Sequence, residues 1–103
     1  MNFETEVLKS QLPVIVDFYA TWCGPCKNLS PVLTEIENEY KDKVKVIKLN
    51  VEEFEDLAKE YKVKSIPHVV FFKDGEIQHS FTGFKDITYI KNVIGGLFNV
   101  RSE

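Results

Sequence analysis

The feature that most constrains this chain is a junction. A nearly continuous apolar run, Pro13-Val14-Ile15-Val16-Asp17-Phe18-Tyr19-Ala20, leads into Trp22-Cys23-Gly24-Pro25-Cys26-Lys27. A helical pattern follows directly. The run has the length and β-branched content of a strand, and its near-continuous apolar character predicts burial on both faces, as in a sheet covered by helices. Cys23 and Cys26 are the chain's only cysteines. A Cys-X-X-Cys at a strand-to-helix turn points to thiol–disulfide chemistry, because one pair can carry two electrons by opening and closing a single bond.

The rest of the pattern extends this start. Asn2 can cap a short helix with Phe3, Val7 and Leu8 inward. Leu29, Val32, Leu33, Ile36 and Tyr40 recur at helical spacing, predicting a helix over about 23–40 that Pro31 should kink. Val44 to Asn50 reads as a second strand. Asn50 with Glu53 reads as a capping box for a helix carrying Phe54, Leu57, Ala58 and Tyr61. Pro67 to Phe72 is a third strand. Asp74-Gly75 predicts a tight type I′ turn into an antiparallel strand over Glu76 to Thr82. Asp86 can cap a last helix with Ile87, Ile90, Ile94 and Leu97 inward, its end weakened by Gly95-Gly96. The expectation is an α/β fold, one domain over 1–103, in three layers. Its mixed sheet has about four strands and is flanked by about four helices; strands joined through helices run parallel and the closing hairpin is antiparallel.

Composition narrows the functions. The 103 residues carry a net charge of −3 and no basic cluster, which disfavours nucleic acid as a partner. The start, Met1-Asn2-Phe3-Glu4-Thr5-Glu6, lacks a basic, apolar secretory leader, and no apolar run is long enough to cross a membrane. A cytoplasmic location is therefore expected. In a reducing compartment two cysteines are catalytic or metal-binding more often than structural.

At the expected helix start, free amides and the helix dipole favour a thiolate on Cys23, in an exposed position. Cys26 lies one turn inside. Cys23 is read as the nucleophile and Cys26 as the resolving thiol, with Gly24 and Pro25 shaping the turn. The bland readings are a metal site, an inert disulfide or two buried thiols. Two cysteines and two histidines fall short of the ligands that zinc or an iron–sulfur cluster takes, so no metal is expected within one chain. Asp17, a carboxylate in an apolar strand, should have a raised pKa and can exchange a proton with Cys26; its structural alternative is a pairing with Lys48. Ile66-Pro67 either ends a loop or, if cis, exposes backbone to a substrate. Trp22 is either a packing residue or a flat apolar lip beside Cys23. His68 and His79 read as partly exposed strand residues.

Taken together, Val16-Asp17-Phe18-Tyr19-Ala20-Thr21-Trp22-Cys23-Gly24-Pro25-Cys26-Lys27, Pro31, Lys48-Leu49-Asn50, Ile66-Pro67, Phe72-Lys73-Asp74-Gly75 and Gly83 resemble the thioredoxin family over nearly the whole chain. The resemblance implies Cys23 as nucleophile, Cys26 as resolving thiol, Asp17 as the buried proton-transfer group and Lys48 as its modulator. It implies a cis-Pro67, with Trp22, Ile66, Gly83 and Phe84 around a docking groove for disulfide-containing proteins. It further implies no bound cofactor, electrons from NADPH through thioredoxin reductase, and a general protein-disulfide reductase, the direction that Gly-Pro between the cysteines resembles. The alternatives are a relative dedicated to one partner and a non-catalytic binding module. The chain departs from the family pattern in lacking an opening strand, and in Tyr19, His68 and Phe84. Without that strand Val44 to Asn50 becomes a sheet edge, guarded by Lys43, Lys45 and Lys48, and a monomer is expected.

Overall fold

Apolar residues on both faces of Val14–Tyr19 make it a central strand, β1, buried along almost its whole length. The computed structural model describes residues 1–100. A π-helical turn, Glu4–Leu8, precedes β1; Asn2 accepts from Thr5 N–H at 3.1 Å, as its capping pattern predicts. After β1 come helix α1, Gly24–Glu39, strand β2, Lys45–Asn50, helix α2, Glu55–Glu60, strands β3, His68–Lys73, and β4, Glu76–Thr82, and helix α3, Ile87–Phe98. The sheet order is β2-β1-β3-β4.

Alternation along β1 divides the core. Ile15 faces α1 and α3, packing with Leu29, Leu33, Ile36, Ile90, Ile94 and Phe98. Val14, Val16 and Phe18 face the π-helical turn and α2, with Val7, Leu49 and Ala58. By the same alternation Asp17 points to the α1 face. Each fully buried Phe or Ile contributes about 2 kcal/mol of burial.

Strand direction corrects one expectation. β1 and β2 are parallel, but β3 is antiparallel to β1 although a helix precedes it. Helix length explains this. α1 has 16 residues, about 24 Å, enough to carry the chain back along a strand of about 20 Å. α2 has 6 residues, about 9 Å, and cannot. The chain therefore re-enters the sheet at the end where β1 and β2 finish, with His68 opposite Phe18.

A second correction concerns α2. Asn50 accepts from Glu52 N–H at 2.9 Å and so closes a turn rather than capping the helix, which begins at Glu55 behind Phe54. The expected caps and turns hold elsewhere. Asp86 accepts from Tyr89 N–H at 3.0 Å. Asp74 and Gly75 both have positive φ, 53° and 78°, as a type I′ turn requires. A Cβ on Gly75 would sit 2.8 Å from the Leu8 carbonyl oxygen. α3 runs through Gly95-Gly96 to Phe98. β2 lies at the sheet edge, where Lys45 Nζ reaches Glu6 Oε1 at 3.0 Å and donates to the Glu6 carbonyl at 2.7 Å.

Candidate active site

Where β1 ends, the chain turns through Thr21 and Trp22 and starts α1. Cys23 is the N-cap, extended at φ −89° and ψ 116°, and Pro25 lies in the first turn, where its missing N–H is no loss. The Cys26 N–H donates to Cys23 Sγ at 3.2 Å, so a helix-end amide is spent on sulfur. The two sulfurs are joined as a disulfide, with 5.3 Å between the Cα atoms. One expectation needs correcting here: Cys23 is not exposed. Only 5% of its surface is open, and Ala20, Tyr19, Val51 and Ile66 pack around the pair. Its neighbours Trp22, Gly24 and Pro25 are exposed and form the rim.

Behind the disulfide lies a cleft of about 300 Å³, lined by Asp17, Tyr19, Ala20, Thr21, Cys26, Lys27, Ser30 and Lys48. Three residues singled out from the sequence, Asp17, Cys26 and Lys48, thus meet at one cavity. Asp17 is fully buried, and neither carboxylate oxygen has a hydrogen-bond partner among the described residues. Burial pushes its carboxyl from the ordinary 3.8 to about 6, against a downward pull from the Lys48 charge. Lys48 is its register partner on β2. Its ammonium, however, donates to Ser30 Oγ at 2.8 Å, Thr34 Oγ1 at 3.0 Å and the Ser30 carbonyl at 3.2 Å. Asp17 and Lys48 are neighbours without a hydrogen bond between them.

On the outer side, Trp22 and Ile66 line a groove of about 430 Å³ with Val51, Ala58, Val63, Lys64 and Ser65. The Ile66–Pro67 bond is cis. The Pro67 carbonyl accepts from Gly83 N–H at 2.8 Å, and Gly83 takes a φ of 89° that only glycine adopts freely. Phe84, next along, is exposed. Gly83 and Phe84 do not line the Trp22 groove; the Pro67–Gly83 hydrogen bond joins their segment to Ile66-Pro67. His68 is half-buried, with Nδ1 2.9 Å from Thr82 Oγ1, and burial holds its imidazole below the ordinary value. His79 contacts the Tyr89 hydroxyl at 2.8 Å. Among the described residues no cluster of His, Cys, Asp and Glu is arranged to hold a metal, and no helix is long and apolar enough to cross a membrane.

Sequence reasoning missed Ser30 and Thr34. The available signal was their spacing: Cys26, Ser30 and Thr34 are four apart and share one face of α1.

A redox-active cysteine pair at a helix start, backed by a buried acid and faced by a cis-proline loop, defines a dithiol–disulfide enzyme. Residues 1–95 match the family model described as Thioredoxin. A thioredoxin of Rickettsia felis is 49% identical over 84 residues, 82% of this chain and 80% of the relative. Thioredoxin C-2 of Corynebacterium nephridii is 50% identical over 76 residues, covering 74% and 70%. Thioredoxin 1 of Synechococcus elongatus is 44% identical over 93 residues, covering 90% and 87%. The chain belongs to the thioredoxin family, and it is a thiol–disulfide oxidoreductase that acts on disulfides.

Proposed function

We propose that the protein is a general protein-disulfide reductase of the cytoplasm, working as a monomer in electron transport and redox homeostasis. The observation that carries this reading is the Cys26 N–H donating to Cys23 Sγ at 3.2 Å, at the start of α1. That amide and the helix dipole favour a Cys23 thiolate once the disulfide is open. The thiolate attacks one sulfur of a substrate disulfide. A Cys23–substrate bond forms, the substrate disulfide breaks, and the released substrate sulfur takes a proton. Cys26 then loses its proton and attacks Cys23. The Cys23–Cys26 bond forms, and the second substrate thiolate leaves.

Cys26 is covered, so its proton needs a nearby acceptor. Asp17, with a carboxyl poised at about 6, is the group suited to take it, directly or through a water in the shared cleft. Lys48 modulates Asp17 by its charge. Gly24 and Pro25 hold the active-site turn. Trp22, Ile66, Pro67, Gly83 and Phe84 form the apolar, backbone-rich surface on which an extended substrate segment docks.

Electrons return from NADPH through thioredoxin reductase, and no cofactor resides on this chain. No observation favours a relative dedicated to one partner or a module without turnover. At the β2 edge, Lys45 is held on Glu6, and lysine on an edge strand disfavours strand addition, which supports the monomer. A mass that rises with concentration would overturn it.

The deciding experiment is the reduction potential of Cys23–Cys26 against a glutathione or dithiothreitol series. A value near about −270 mV, which thioredoxin itself exemplifies, supports the reductase. A value near the roughly −120 to −180 mV of strong oxidants and isomerases would overturn that direction.

A further inference from the structure

We infer that Ser30 and Thr34 are positioning residues of the exchange site: they tether the Lys48 ammonium to α1 and so keep it from closing an ion pair on Asp17. The inference rests on the reading of Asp17 as the proton-transfer group, and it assigns that group's control to two hydroxyls outside the cysteine motif.

The geometry starts in the sheet. Asp17 and Lys48 are paired across parallel strands, so both side chains leave on the α1 face. An unattached ammonium there has an obvious partner, since both Asp17 carboxylate oxygens lack a hydrogen bond among the described residues. It goes elsewhere instead. Lysine has three N–H donors. Ser30 Oγ, Thr34 Oγ1 and the Ser30 carbonyl accept them at 2.8, 3.0 and 3.2 Å. The Thr34 hydroxyl donates to the Ser30 carbonyl at 3.1 Å, which leaves its lone pairs for the ammonium. The donor set is thus filled from one face of α1.

Other charged or titratable groups near Asp17 are few. In the shared cleft α1 contributes Cys26 and Lys27, β1 contributes Tyr19 and β2 contributes Lys48. The β3 residue opposite Asp17 is Val69, which is apolar. Lys48 is the charge that lowers the Asp17 carboxyl. Held at the helix, it acts through space. In contact, it would pull the Asp17 carboxyl further down, and a less basic carboxylate is a weaker proton acceptor for Cys26.

The test is a ¹³C NMR titration of the Asp17 carboxyl in the oxidised protein. Variants are Ser30→Ala, Thr34→Val, the double variant, Thr34→Ser and Lys48→Met. In the double variant the midpoint should fall by about one pH unit as the ammonium moves onto the carboxylate. Each single should give part of that fall. Thr34→Ser, which keeps the hydroxyl, should match the wild type, and Lys48→Met should raise the midpoint. Adding Lys48→Met to the double variant should abolish the fall. An unchanged or higher midpoint in the double variant, or a fall that survives Lys48→Met, overturns the tether. Thr34 is exposed, so Thr34→Val alone suffices if the double variant misfolds.

The pH profile of mixed-disulfide resolution separates this inference from the one beneath it. A profile that follows the shifted carboxyl supports both. A shifted carboxyl with an unmoved profile removes Asp17 from the proton step and leaves the tether standing.

Discussion

Behind the disulfide, Asp17 is completely buried with no hydrogen-bond partner among the described residues; in front of it, Trp22 leaves 68% of its surface open. The inner cleft hides a group that water would solvate. The outer rim exposes a ring that the core would shelter. Both placements work against stability. In the proposed mechanism the inner one sets where a proton can go and acts on the chemical step, and the outer one sets what can sit on the site and acts on binding. Sequences that agree locally with their fold break that agreement at functional sites, and this chain breaks it with opposite signs on the two sides of one disulfide.

The sharpest way to break the comparison is to remove the sulfurs between the two regions. Cys23→Ser should abolish reduction of a protein disulfide. Cys26→Ser should stop after the first step and accumulate a mixed disulfide with substrate, visible by mass under non-reducing conditions. Turnover that survives Cys26→Ser would mean that the inner cleft has no proton to manage.

Next in size is Asp17→Asn. The folded carboxyl holds its proton up to about 6, whereas the unfolded one releases it near 3.8. Between those values the folded state binds more protons, so stability falls as pH rises through the window and stays at the lower level above it. The interval corresponds to about 3 kcal/mol at most. Asp17→Asn should therefore be more stable than the wild type at pH 8, by up to that amount in denaturant unfolding, and lose the advantage below pH 4. Resolution of the mixed disulfide should slow by about 100-fold, the scale of a lost general base. A variant less stable at pH 8 would show that burial does not set the Asp17 carboxyl.

Much of this was readable in the sequence, and where it was not, the reason is geometric. Strands β1 and β4, the Asp74-Gly75 turn and the Asp86 cap depend on local chemistry, which residue type reports directly. The direction of β3 depends on whether a helix is long enough to span a strand, and the pattern around Phe54 to Tyr61 overstated α2 by starting it at Asn50. Asp17 stood out as a charge in an apolar strand, with Lys48 as its possible pairing partner. What the sequence hid was where the Lys48 head goes. Ser30 and Thr34 look like ordinary helix-surface residues, and only the packing of α1 over β2 brings their hydroxyls to the ammonium.

The smallest expected effect sharpens the outer half of the comparison. Trp22→Ala removes an exposed side chain with little packing to lose, so unfolding free energy should change by no more than about 0.5 kcal/mol. If Trp22 is a docking lip, kcat/KM for a protein disulfide should fall about tenfold, or about 1.4 kcal/mol of lost binding in the transition state. A small disulfide makes no use of the rim, and its reduction should be unchanged. The pH profile should also be that of the wild type, because the cleft holding Asp17 is not lined by Trp22. An equal loss on both substrates would place Trp22 in the chemistry of Cys23 and dissolve the division between rim and cleft. A loss confined to the protein substrate would fix it.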